Sequence, residues 1–324
     1  MKAIRCKEFG PPSSLVLEEM PGLKPKAKEV VVQVKACGIN FPDTLIIQGL
    51  YQFKPELPFT PGSDIAGIVK EIGDEVKHLA VGDEVFGFVF SGGFAEEVVV
   101  PSNTCFLKSK KMDFPIAASF MVAYGTSYHA LKDRAKLAKG ETLLVLGASG
   151  GVGLAAVELG RLMGAKVIAA ASTEEKLQLC REYGADQTIN YSKENLKSEI
   201  KKLTDNKGVD VIYDPVGGEY TEAAFRGIAW EGRYLVVGFA SGTIPKMPLN
   251  LPLLKTASIV GVFWGDFAMR NPKLNMENTR TLMKWYDEGR VKPHIHKTYK
   301  LKETPRALEE IMNRKVRGKL VIEV

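Results

Sequence analysis

From the first residue to about 120, apolar positions come in short β-rich runs closed by Gly and Pro: "EVVVQVKACGI", "DIAGIVKEIG", "GDEVFGFV" and "GGFAEEVVVP". Short strands punctuated in this way predict an antiparallel, barrel-like domain. From about Tyr124 the texture changes, and apolar runs alternate with segments long enough for helices. That alternation is the pattern of a parallel sheet joined by crossover helices. Six strands are expected, at Thr142–Gly147, Lys166–Ala171, Gln187–Asn190, Asp210–Asp214, Gly232–Gly238 and Ser258–Phe263, the number in a complete doubly wound fold. After about Arg270, "ENTRTLMKWYDEGR" reads as a helix. The tail "KTYKLKETPRALEEIMNRKVRGKLVIEV" reads as an apolar-periodic helix and a terminal strand that fold back onto the first domain. The class is therefore α/β, with residues 1–123 and 266–324 in the β-barrel domain and 124–265 in the doubly wound domain.

Composition narrows the setting. The 324 residues suit two domains. No apolar run approaches the ~18 residues needed to span a bilayer, and "MKAIRCKEFG" lacks the apolar centre of a signal peptide, so a cytoplasmic protein is expected. The net charge of +6 is spread among acids, which argues against nucleic acid as a partner. The densest basic stretches, "KSKKMD" and "NRKVRGK", read as solvated faces, though the second also suits an anionic ligand. Cys6, Cys37, Cys105 and Cys180 are too widely separated for a disulfide framework or a zinc spacing. They read as small buried hydrophobes.

The stretch "ETLLVLGASGGVGLAAVELGRLMGAKVIAAASTEEK" carries the clearest chemistry. Ala148, Gly150 and Gly153 occupy the three positions of the dinucleotide fingerprint, between a strand and an amphipathic helix. Gly150 lets the backbone approach a pyrophosphate, Gly153 lets the helix pack on the strand, and the amides of 148–153 (Ala148, Ser149, Gly150, Gly151, Val152, Gly153) face the phosphates. The acid that grips the ribose hydroxyls of NAD is missing. Its strand ends in Ala170, Ala171, Ser172 and Thr173. Ser172 can donate to a phosphate oxygen and Lys176, one turn into the next helix, supplies charge, so NADP(H) is the expected cofactor. A charged hydrogen bond of roughly 1.5 to 3 kcal/mol corresponds to on the order of tenfold to a hundredfold preference. Tyr191, after the third strand, can reach the same phosphate. Lys176 as an ordinary surface lysine and Tyr191 as a strand-end aromatic are the plainer alternatives.

The ordered motifs "GINFPDT", "PGSDIAGIV", "VGDEVFGF", "VAYGTSYHAL", "GASGGVG", "STEEK", "GADQTINY", "DPVGG" and "VGFASG" resemble the medium-chain dehydrogenases/reductases of the quinone oxidoreductase (zeta-crystallin-like) branch, most closely its quinone-oxidoreductase-like members. The resemblance implies a GroES-like β-barrel domain, a Rossmann domain with NADPH bound between the two, and a homodimer. Zinc-dependent relatives hold a catalytic metal with a Cys, a Gly-His-Glu motif and a further Cys or acid. The corresponding positions here are Asn40 and Gly62, Ser63, Asp64, and the lobe with four closely spaced cysteines is absent. Asn and Ser cannot rebuild a zinc site, so the chemistry is expected to be metal-free.

Without a Lewis acid, hydride transfer suits acceptors that are already electrophilic, namely quinones and α,β-unsaturated carbonyls. By resemblance Asn40, Asp43 and Tyr51 line the substrate side: Tyr51 donates to the developing oxyanion, the Asn40 amide orients or polarises the same oxygen, and Asp43 orients its neighbours. Asn40 satisfying a turn and Tyr51 serving as packing are the alternatives. Resemblance also places Thr126, the segment Gly238, Phe239, Ala240, Ser241 and the segment Phe263, Trp264, Gly265 around the nicotinamide, with Arg317 as a second cation at the adenosine phosphate or a plain surface charge. His129 reads as structural, and His294 with His296 lacks a third ligand for a metal. Two other functions stay open: a trans-2-enoyl thioester reductase, and a non-catalytic NADPH-binding protein of the crystallin or RNA-binding kind.

Overall fold

A strand with neighbours on both sides and both faces covered must be apolar at nearly every position, and Glu29–Ile39 is such a strand. Val30, Val31, Val32, Ala36 and Cys37 are wholly buried. The computed structural model describes residues 1–324, in two units: Met1–Val122 with Lys292–Val324, and Ala123–Val291. Along the chain the strands are β1 (Lys2–Arg5), β2 (Val16–Glu19), β3 (Glu29–Ile39), β4 (Asp64–Ile72), β5 (Glu84–Phe88), β6 (Glu97–Pro101) and β7 (Cys105–Leu107) in the first unit. Then come β8 (Thr142–Leu146), β9 (Lys166–Ala171), β10 (Gln187–Asn190), β11 (Val209–Asp214), β12 (Ile228–Val236) and β13 (Ser258–Gly261) in the second, and β14 (Ile295–Lys300) and β15 (Lys319–Glu323) return to the first.

In the first unit a seven-stranded sheet has the order β14-β15-β3-β4-β5-β7, with β6 also paired to β3. Every pair in it is antiparallel except β14 with β15. Its register brings residues from both ends of the chain side by side. Gly38 of β3 stands opposite Asp64 of β4 on one side and Val321 of β15 on the other, and Ile39 stands opposite Leu320. The end of β3 is thus gripped between two strands more than 250 positions apart. Gly38 has to be glycine there, because a Cβ would fall 2.1 Å from the carbonyl oxygen of Ala118 on the helix Phe114–Ala118.

The second unit holds a six-stranded sheet of order β10-β9-β8-β11-β12-β13, parallel throughout. Its order reverses at β8, where doubly wound sheets bind nucleotides. The core is apolar on both faces, from Leu144, Ile168, Ile189, Ile212 and Phe225 among others. β12 begins at Ile228, four residues before the expected start, and ends at Val236.

The assignment of 266–291 to the first domain is corrected. The helices Trp264–Arg270 and Pro272–Asp287 lie in the second unit. The Trp264 indole donates to Asn275 Oδ1 at 3.1 Å, and Lys132 Nζ donates to Asn278 Oδ1 at 2.6 Å. The second tie spans 146 positions and both are polar, so helical periodicity does not reveal them. No helix is long and apolar enough to cross a membrane.

Candidate active site

Two sets of residues are the candidates for chemistry, one in each unit. The first is built on the turn after β8. Gly147 has φ +55°, and a Cβ on it would fall 2.7 Å from Val216 Cγ2. The Ala148 amide donates to the Ala170 carbonyl at 3.1 Å, tying the turn to β9. Gly150 precedes the helix Gly151–Leu162 in extended conformation, and no side chain caps the helix. Its first amides are left for an anion. A Cβ on Gly153 would lie 2.3 Å from the Gly147 carbonyl oxygen, whereas Gly150 has only that oxygen nearby, at 3.4 Å. Backbone thus packs on backbone beneath the turn while the surface over Gly150 stays open, the shape a pyrophosphate requires. Ser149 is buried, and the carbonyl of Val152 accepts from Ser127 Oγ at 2.8 Å, which also bonds Tyr213 at 3.0 Å.

At the end of β9, Thr173 caps the helix Glu174–Glu182 by accepting from the Lys176 amide at 3.3 Å. That start turns Lys176 back, and its Nζ donates to Ser172 Oγ at 3.2 Å. The Tyr191 amide donates to the Ala171 carbonyl at 3.2 Å, and its ring packs 4.4 Å from that of Tyr220. Ser172, Lys176 and Tyr191 are therefore placed at adjoining strand ends, and the end of β9 itself carries no acid.

Beyond β11 and β12 the backbone is organised by Asp214, which the sequence reading passed over. One carboxylate oxygen of this buried residue accepts the amides of Val216 and Gly217 at 2.7 and 2.9 Å, while the other accepts from Thr221 at 3.0 Å and from Tyr234. Onto that turn is stitched the segment Gly238–Ser241: Ala240 donates to Pro215 O at 3.0 Å and Ser241 to Val216 O at 2.8 Å. Phe263 is half-exposed and Gly265 opens the following helix, but Trp264 is turned inward against Gly125. Thr126 follows Gly125 on the helix Met121–Tyr128 and is partly exposed. His129 is buried, bonded to Asp133 at 2.9 Å and stacked on Phe267.

The second set lies at the end of β3. Asn40 precedes the helix Phe41–Ile46, and its amide donates to Asp43 Oδ2 at 2.7 Å. Ser63 Oγ lies 3.5 Å from the other Asp43 oxygen. Asp64 is wholly buried and its oxygens make no close hydrogen bond, with the Val122 amide and the Asn40 side chain as longer supports. Beside them stands a residue that the sequence reading missed, Lys319 of β15. Its Nζ donates to Asn40 Oδ1 at 2.5 Å and to the Ile39 carbonyl at 2.9 Å, and lies 3.6 Å from Asp64 Oδ2. Burial pushes the Asp43 carboxyl up to about 6 and that of Asp64 up to about 7, in each case against the lowering charge of Lys319. Burial also raises the Cys37 thiol, with both carboxylates adding to the effect. Tyr51 packs half-buried on the core, and burial and the charge of Asp43 raise its hydroxyl, keeping it a proton donor. Arg317 lies in the turn before β15, two residues from Lys319. No three His, Cys, Asp or Glu side chains come together as a metal-binding set.

Residues 26–110 match the family model for the alcohol dehydrogenase GroES-like domain, and residues 151–284 that for zinc-binding dehydrogenases. Along 99% of this chain and 88% of its own length, a quinone oxidoreductase-like protein 2 homolog from Nematostella vectensis is 42% identical. The chain belongs to the quinone oxidoreductase branch of the medium-chain dehydrogenases/reductases. Human quinone oxidoreductase is 35% identical, with 97% of this chain and 94% of that protein covered. Among solved structures, Escherichia coli quinone oxidoreductase complexed with NADPH covers both chains completely at 29% identity, with a TM-score of 0.93. In this branch the barrel-like unit is the GroES-like domain, and the parallel sheet is the Rossmann-type domain.

Proposed function

We propose that this protein is a zinc-independent, NADPH-dependent reductase that delivers a hydride to a quinone or to the β-carbon of an α,β-unsaturated carbonyl. The observation that carries the reading is the Ser172–Lys176 pair at the end of β9, in the place of an acid that would repel a ribose phosphate. Bound NADPH supplies the hydride. The protein's own residues bind and orient: the turn from Ala148 to Gly153, through the free amides at the start of its helix, holds the pyrophosphate, Ser172, Lys176, Tyr191 and Arg317 the ribose phosphate, and Thr126, the segment Gly238–Ser241 and Phe263 to Gly265 the nicotinamide side; the Ala148 and Gly150 amides are committed to the Ala170 and Gly147 carbonyls. Trp264 acts there as a support, since its indole is committed to Asn275.

On the acceptor side, the Asn40 amide and the Tyr51 hydroxyl donate to the oxygen that gains charge, and Tyr51 or water returns the proton. Asp43 fixes the Asn40 backbone. The donor set of Asn40, Ser63 and Asp64 does not match what zinc takes, which supports acceptors that need no metal. The test follows nicotinamide absorbance with NADPH and NADH, in EDTA, against p-benzoquinone, phenanthrenequinone and a short enone. NADPH-selective turnover that survives EDTA is expected. Tight NADPH binding with no turnover of any acceptor would move the protein to a binding role.

A homodimer is part of this reading. β13 is the last strand of its sheet, paired only to β12, and Ile244, Leu249, Leu253, Leu254 and Ile259 are exposed on the same unit. An open, apolar edge is a template for a second copy. Sedimentation of Ile259→Lys checks it, with a monomer expected against a dimeric parent.

A further inference from the structure

Lys319 is 5% exposed and is followed in β15 by Leu320, Val321 and Ile322, all wholly buried. An ammonium in such surroundings is costly unless it is both ion-paired and hydrogen-bonded. Here the paired group is itself unusual, because Asp64 is wholly buried and makes no close hydrogen bond at either oxygen, the Val122 amide and the Asn40 side chain giving it only longer support. Lys319 Nζ lies 3.6 Å from Asp64 Oδ2, and what the ammonium bonds is the Asn40 amide oxygen and the carbonyl just before it. The register of β3 with β15, Ile39 opposite Leu320, delivers the lysine to that place.

We propose that Lys319 is the positioning residue of the acceptor side: its ammonium pins the Asn40 amide by its oxygen, so that only the N–H2 is left to meet the oxygen of the acceptor. The flipped amide would set N–H2 against NH3⁺. In the observed orientation Asn40 Nδ2 makes one long contact, 3.5 Å, to the Gly38 carbonyl, and the side chain also faces the Asp64 carboxyl. The positive charge draws electron density from the amide through its oxygen and so strengthens the N–H2 as a donor to a developing oxyanion. The cluster thus fixes a cation one amide away from the acceptor. The titratable groups facing it are Asp64 on β4, Asp43 on the helix Phe41–Ile46, Cys37 on β3 and Tyr51.

This inference rests on the reductase reading, and its test includes a measurement independent of turnover. In cofactor-free protein, the Asn40 side-chain amide is followed by ¹⁵N NMR in the parent, in Lys319→Met and in Lys319→Met/Asp64→Asn, which removes both members of the buried pair if the single variant fails to fold. The expected result is a displaced, faster-exchanging Asn40 N–H2 in the variant that folds; an unmoved signal overturns the proposal whether or not any acceptor is reduced. With a working acceptor, kcat is expected to fall at least about tenfold while NADPH affinity holds, and Lys319→Ala should regain activity with added propylammonium. A parent that turns over beside unimpaired variants, or a kcat loss with no amine rescue and parallel loss of NADPH binding, also overturns it. A parent that reduces nothing sinks the reductase reading alone, since the amide signal still decides the place of Lys319.

Discussion

The nucleotide set and the acceptor set are made in opposite ways. The phosphate-facing part of the first is mostly backbone, drawn from one stretch between Glu141 and Tyr191, and what it demands of side chains is chiefly that they be absent, as at Gly150 and Gly153. The second is made of side chains from β4, β15 and the segment that follows β3, and its central hydrogen bond joins residues 279 positions apart. A local, backbone-built site tolerates little change in shape and much in composition. A long-range, side-chain site depends on charge balance and on sheet register.

That contrast can be broken first at Gly153. In Gly153→Val the new Cβ meets the Gly147 carbonyl at 2.3 Å, and NADPH affinity should fall at least about a hundredfold, as read by nicotinamide fluorescence; near-parental binding would mean that the turn is not the pyrophosphate cradle. Tyr51→Phe keeps the packing and deletes the donor, so kcat should fall about a hundredfold with NADPH binding intact. Wild-type turnover would reduce Tyr51 to packing. Lys176→Glu sharpens the contrast within the nucleotide set: NADPH should weaken by about tenfold to a hundredfold and NADH hardly at all, and equal losses would remove the phosphate role from Lys176.

The smallest effect belongs to pH. Because the folded-state carboxyls of Asp43 and Asp64 sit at about 6 and about 7 rather than at 3.8, the folded protein keeps protons that the unfolded chain releases. Stability attributable to them is full below about pH 4 and declines as pH rises through 6 and 7, by at most about 1.4 kcal/mol per pH unit for each proton. Urea denaturation across that range should show the slope, and Asp64→Asn should flatten its upper part; an unchanged slope would place the titration elsewhere.

The Rossmann-type sheet was legible because its signals are local. Strand, glycine turn and helix follow one another between Thr142 and Leu162, and β9 and β10 begin and end at the expected residues. Asn40, Asp43 and Tyr51 drew attention only through the family resemblance, and nothing in "KVRGKLVIEV" marks Lys319 as buried. Its burial follows from the pairing of β15 with β3, a fact of register rather than of composition. The same holds for Asp214, a strand-end acid whose four partners become apparent only once the turns after β11 and β12 are folded. The helix Pro272–Asp287 had a clear period, but periodicity says which face is buried and not against what.

The place of β15 in the first sheet also bears on biosynthesis. The second unit is one unbroken run from Ala123 to Val291, so it can fold as it leaves the ribosome. The first unit is begun earlier and finished later: until residue 319 has been translated, the far edge of β3 lacks its partner strand and Asp64 lacks its cation. Until then the end of β3 that pairs with β15, Ala36–Ile39, stays an open edge exposed to chaperones while the younger half matures.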